Sequence, residues 1–222
     1  MAQLEQKCLT PLKCCALRVT RLDPDGTSAA GPNNSYVTNK FTEIGVTSEI
    51  REGTEQELLD ACGCPIVEYK EDDSFKRWTF AVSVGAIEFG MQEMMLGTSL
   101  ILDASTIPVP IGMQFVTPAA CGATRPRVAL EAWSRAIGYD ESDPDLPYFH
   151  WVWPSVKFAP APGDMTLGAD VAATVLNGVG TQNTRFGDPY NELPEEPLGS
   201  GMVFLSDDLP VIECGYQTIG SS

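Results

Sequence analysis

The 222-residue chain carries thirty Asp and Glu against fourteen Lys and Arg, a formal charge of −16, with twenty glycines and seventeen prolines spread along it. That length fits one large domain or at most two small ones, and the Gly and Pro content favours many short strands over a helical bundle. Dispersed and outnumbered bases argue against a grip on nucleic acid, which needs clustered cations; an anionic surface serves solubility, and equally suits a wall that DNA passes without sticking.

Residues 1–13 are polar and aperiodic and read as an N-terminal arm, with a single β-rich domain expected over 14–222. The segment MAQLEQKCLTPLKCC lacks an apolar core of signal-peptide length, and no stretch approaches the ~20 apolar residues of a membrane span, so folding in the cytoplasm without a membrane partner is expected. CCALRVTR (14–21) alternates as a first strand and stops at DPDGT; SAAGPNN is read as loop, and Tyr36 to Ile50 as strand. The acidic stretch 51–63 reads as a short helix or a long loop, with Glu52, Glu55, Glu57 and Asp60 as candidate docking contacts. A short strand over 64–69 follows, and then KRWTFAVSVG (76–85), where Trp78, Phe80, Val82 and Val84 take one face and Arg77, Thr79, Ala81 and Ser83 the other. Up to this point the pattern predicts an antiparallel meander.

A helix is expected at about 86–97, because Ile87, Gly90, Met91, Met94 and Met95 repeat at helical spacing and Gly97 stands at the C-cap; its Met stripe reads as core. Prolines and glycines break the apolar run that follows, giving one or two short strands and a long loop at about 103–126. Val128, Leu130 and Ala132 opposite Glu131, Trp133 and Arg135 suit a strand. YFHWVWPSVKF (148–158) is the densest aromatic strand, with Phe149, Trp151 and Trp153 on one face, His150 and Val152 on the other, and an interruption at Pro154. VAATVL (171–176) is a further strand, 181–201 an acidic, proline-rich surface loop, and MVFLS and LPVIECGYQT two last strands. Trp78, Phe80, Trp151 and Trp153 are the expected core aromatics.

Catalytic patterns are missing from the sequence. The single histidine, His150, lies in an aromatic strand with no nucleophile elbow elsewhere, and no phosphate-binding glycine loop occurs. Cys14-Cys15 with Cys62-Gly-Cys64 could be assembled into a zinc site, but neither pair has the CxxC spacing, and a packed or later oxidised pair suits them better. Acid pairs such as Asp72-Asp73 and Asp207-Asp208 fall in expected turns. The reading is a chain that is not an enzyme, with no cofactor and no metal.

Several stretches, in order and over most of the chain, resemble the major tail proteins (tail-tube subunits) of long-tailed bacteriophages, in particular those infecting actinobacteria: CALRVTRLDPDG (15–26), YVTNKFTEIGVTSEIREG (36–53), ACGCPIVEYK (61–70), FKRWTFAVSV (75–84) with the helix after it, VALEAWSRA (128–136), LPYFHWVWPSVKF (146–158) and RFGDP (185–189). The resemblance implies an antiparallel β-sandwich or barrel-like sheet with one flanking helix. It also implies a virion protein assembled in the host cytoplasm, six copies to a ring, with rings stacked into a tail tube. Its partners would be further copies, a tape-measure protein, tail terminator and baseplate proteins, and genomic DNA in transit. Arg77, Thr79 and Ser83 are then candidates for a lumen-facing or inter-subunit surface, and the arm, 51–63 and 181–201 for contacts between rings. The alternatives are a capsid decoration or head-to-tail joining protein and, from another class, a cysteine-dependent metal-binding protein.

Overall fold

Alternating β-branched and aromatic residues form strands over most of the chain, and the computed structural model describes residues 9–115, 125–137, 148–166, 173–195, 198–212 and 214–219. In order they are β1 (Thr10–Arg21), β2 (Gly31–Thr38), β3 (Phe41–Arg51), β4 (Glu55–Leu59), β5 (Pro65–Lys70), β6 (Ser74–Val84), α1 (Phe89–Leu96), β7 (Ser99–Leu102), β8 (Pro110–Gln114), β9 (Val128–Ile137), β10 (Tyr148–Phe158), β11 (Met165–Thr166), β12 (Ala173–Gly180), β13 (Met202–Ser206) and β14 (Gly215–Ile219). The fold is mainly β and antiparallel, a sandwich with one flanking helix.

The main sheet runs β14-β2-β1-β9-β10-β12-β6-β3, with β11 added to β12 and β13 to β10. β2 and β3 stand near opposite ends of this path, six strand spacings apart, which is ~29 Å in a flat sheet. Only Asn39 and Lys40 join them. A two-residue link cannot span that distance, so the sheet has to fold over on itself, and the expected early meander is replaced by two halves packed face to face. Leu17 and Val19 of β1, Leu130 and Ala132 of β9 and Trp153 of β10 meet Phe80, Val82 and Val84 of β6 and Leu176 of β12 in one core. Phe80 and Trp153 pack edge to face, ring centres 5.3 Å apart. The pivot is β10, whose first half pairs with β13 and whose last rungs pair with β12. Its ladder to β9 shifts register between Trp153 and Val156, at Pro154, where the missing backbone donor interrupts the pairing.

The helix expected at 86–97 is present as α1. Met91, Met94 and Met95 are buried in the core, and Gly97, at φ 71°, closes the helix with its N–H on the Glu93 carbonyl at 2.9 Å.

Four other boundaries differ from the sequence reading. β1 starts at Thr10, which pairs with Ile137, so 10–13 belongs to the sheet and not to an arm; residues 1–8 lie outside the described residues. The first four residues of β2, Gly31–Asn34, fall in the stretch read as loop, with Gly31 and Asn33 taking positive φ. The 51–63 stretch holds a strand, not a helix or loop, because Glu55–Leu59 pairs with 65–70. Within 103–126, β8 pairs with β7, and 116–124 lies outside the described residues.

Candidate functional site

β3 and β6 pair down to Ile50↔Phe75 and Arg51↔Ser74, and β4 and β5 continue outward from that end as a hairpin. The junction is tight: a Cβ on Gly53 would lie 1.8 Å from the Glu71 carbonyl oxygen, and Glu71 donates its N–H to the Thr54 carbonyl. Only glycine fits such a close backbone approach. Beyond it every residue from Thr54 to Lys76 is exposed, so the hairpin lies against no other element among the described residues.

Opposed residues of an antiparallel pair share a face, and the register therefore sorts the hairpin into two sides. Leu58 faces Val67 and Gln56 faces Tyr69 on one; Glu57 faces Glu68 and Glu55 faces Lys70 on the other. One side thus carries Leu58, Val67 and Tyr69 with Gln56, and the other three acids with Lys70 and the exposed Ile66. Leu58, Val67 and Tyr69 are each more than half exposed. Like charges directly opposed, as at Glu57 and Glu68, weaken a ribbon. At the tip, the Asp60 carboxylate accepts the N–H groups of Cys62 and Cys64, both at 2.8 Å, which fixes a turn with two exposed thiols. Glu52 is exposed at the base.

The other predicted set lies elsewhere. Arg77, Thr79 and Ser83 occupy the solvent side of β6, opposite Glu49, Thr47 and Glu43 of β3. Lys76 and Arg77 both bond the Glu49 carboxylate, and these two bonds, the Lys76 one first, lower its pKa. Thr79 donates to the Thr47 carbonyl at 3.2 Å. This is a polar, solvated sheet face on which Arg77 is already paired with Glu49, and it does not converge with Glu52, Glu55, Glu57 and Asp60.

Between the two sheet halves opens an apolar cleft of about 620 Å³. Trp78, Trp151 and Trp153 line it together with Ile44 and Val46 of β3, and Lys13, Cys14 and Val203 stand at its margin. Of the four core aromatics expected, Phe80 is fully in the core, while the three tryptophans also present ring surface to this cleft. Trp151 is fixed there by its indole N–H, which donates to Ser134 Oγ at 2.9 Å.

On the opposite face of β1, β9 and β10 lies an arrangement that alternation alone concealed. Arg18, Glu131, Trp133 and His150 are all buried. Arg18 donates Nε and Nη2 to the two Glu131 oxygens at 2.8 and 2.7 Å, and His150 Nε2 is 3.1 Å from Glu131 Oε1. Burial by itself would raise the Glu131 pKa; the adjacent guanidinium, then the bonds from His150 and Arg18, outweigh it and hold the carboxyl at about 2. His150 stacks on Trp133, ring centres 4.1 Å apart.

Segment 181–201 is expected as a surface loop, and its described residues, 181–195 and 198–201, instead lie across this face as a strap. Phe186 and Leu198 bury against Ala129 and Val152, Asn183 donates to the carbonyls of Gly26 and Pro154, and Glu192 accepts from Arg18 Nη2 at 2.9 Å. Tyr190 covers the Arg18 guanidinium at 3.4 Å from ring centre to Cζ. The exposed face of a sheet whose side chains are Arg, Glu, Trp and His needed a cover, and the strap supplies both apolar and charged partners. The Glu131 carboxylate is engaged by Arg18 and His150, and all three are buried, with Glu192 at the rim.

No protein-family model matches the chain, and no curated protein matches it. The functional surface is therefore read from geometry: a protruding hairpin with a bare apolar side, and a tryptophan-lined cleft.

Proposed function

We propose that this protein is a structural subunit of a virion that builds the tail tube of a long-tailed bacteriophage by self-association, in rings of six copies that stack around a tape-measure protein and later conduct DNA. The observation that carries the reading is the β4–β5 hairpin. An isolated two-stranded ribbon is marginal in water, and one whose apolar side meets no other element among the described residues gains most from docking on another copy. Open edges at β3 and β14 add backbone donors and acceptors that neighbours can pair. The −16 charge of each copy, multiplied round a ring, gives an anionic wall from which DNA is repelled. Tail terminator and baseplate proteins would meet the two ends of such a tube.

Electron microscopy of the purified chain at high concentration tests this: hollow tubes with regular cross-striations are expected. Closed rings that never polymerise, or binding to capsids alone, would favour a decoration or head-to-tail joining protein instead. A monomer at every concentration removes the reading.

A further inference from the structure

Among the described residues three apolar surfaces are exposed: the Leu58/Val67/Tyr69 side of the β4–β5 hairpin, the β7–β8 hairpin, which packs against α1 of its own chain, and the tryptophan cleft. We infer that the cleft of one copy is the receptor for the β4–β5 hairpin of the next, which deepens the self-association reading above and rests on it.

The hairpin cannot fill its own cleft. Ile44, Val46 and Trp78 belong to the same β3–β6 ribbon from which the hairpin extends, and the cleft lies against that ribbon's inner rungs. The hairpin is a separate two-stranded sheet, joined to that ribbon through 52–54 and 71–73. Every residue from Thr54 to Lys76 is exposed and none of them lines the cleft.

Charge selects the same occupant. Residues 51–73 contain eight acids against Arg51 and Lys70. In a chain of net −16 most surfaces repel such a segment, yet the residues lining the cleft include no acid and a single charge, Lys13. The cleft volume falls in the range of sites that bury compact apolar anchors, and an aromatic floor suits Leu, Val and Tyr anchors. With the apolar side seated, Glu55, Glu57 and Glu68 stay in water. Donor and receptor are different surfaces, so the contact is heterologous: each copy gives one hairpin and takes one, and the series closes into a ring or runs on as a filament.

Two full-length variants separate the halves of the contact. Leu58→Glu with Val67→Glu disables the hairpin and leaves the cleft; Lys13→Glu with Val203→Glu blocks the cleft and leaves the hairpin. All four positions avoid the buried core, and an unchanged thermal unfolding midpoint confirms folding. Each variant alone should self-associate at least about 30-fold more weakly than the parent chain, the loss expected for removing a central anchor. Mixed, they should form a one-to-one dimer in analytical ultracentrifugation that grows no further, with a change in tryptophan emission, because three of the four tryptophans line the cleft. A parent chain that assembles while the mixture stays monomeric, or while either variant still assembles normally, overturns the pairing and leaves the self-association reading standing. A parent chain that never assembles overturns both.

Discussion

On the face of the sheet beneath the strap, Arg18, Glu131 and His150 are each at most 1% exposed and bonded to one another; on the hairpin, every residue from Thr54 to Lys76 is exposed. Both regions are long excursions from the same sheet, and both are acidic. They differ in where their partner lies. The strap finds its cation and apolar surface within its own chain, at Arg18, Ala129 and Val152, whereas the hairpin's bare side has no such neighbour among the described residues. A segment completed internally belongs to the stability of the fold, and one left incomplete belongs to whatever the molecule joins.

That contrast is broken most severely at Glu131. Glu131→Ala leaves the Arg18 guanidinium buried with only the rim contact to Glu192, and loss of one partner from a buried pair costs about 3–5 kcal/mol. Urea denaturation should show a loss of that size, together with release of the strap to proteolysis near Tyr190. A loss below about 1 kcal/mol would mean that water reaches Arg18 and the face is not sealed.

The same pair sets an acid limit. Glu131 sits at about 2 in the folded chain against 4.5 for an unconstrained glutamate. The unfolded state therefore binds more protons between those values. The contribution, on the order of 3 kcal/mol, is fully present above about pH 4.5 and is lost as pH falls towards 2. Chemical denaturation across that window should trace the decline, and Glu131→Gln, which has no proton to take up, should remove this part of the slope.

How far the sequence alone discloses these regions differs for a physical reason. Alternation along 76–85 and 148–153 assigns each side chain to the correct face, until the register shift at Pro154 changes the parity, and the Met spacing locates the helix, because period and burial there coincide. Glu131 and Trp133 fall on the expected parity too, but a charged residue at alternate positions reads as solvent-facing unless a second layer is known to cover it. The cover is the strap, some fifty residues later and without any period of its own. The mate of Glu131, Arg18, lies 113 residues earlier. The hairpin's acids are plain in the sequence and its strand character is not, since Glu55 and Glu57 are poor strand formers and only pairing with 65–70 makes them extended.

A smaller effect probes how firmly the strap is held. The Tyr190 hydroxyl donates to Ser35 Oγ at 2.6 Å and lies 3.0 Å from Thr20 Oγ1, both on the buried face. Tyr190→Phe keeps the ring over Arg18 and strands those two hydroxyls, which should cost about 1–2 kcal/mol by thermal or urea unfolding. An unchanged midpoint would assign the strap's hold to Phe186, Leu198 and Glu192 alone.

The hairpin is expected to contribute least of all to the folded subunit, and this is where the comparison is sharpest. Leu58 is exposed and meets only Val67 across the ribbon among the described residues, so Leu58→Lys should change the stability of the monomer by no more than about 0.5 kcal/mol. Amide exchange in the monomer should be fast throughout β4 and β5, since ribbon hydrogen bonds open to water on both sides give opening free energies near zero, while β9 and β10 exchange only by global unfolding. On association the order changes for the parent chain: β4 and β5 amides should slow as the apolar side is covered, and in Leu58→Lys they should stay fast. Strong protection of β4 and β5 in the dilute monomer would show that the hairpin already has a partner within its own chain, and the distinction between the two excursions would then disappear.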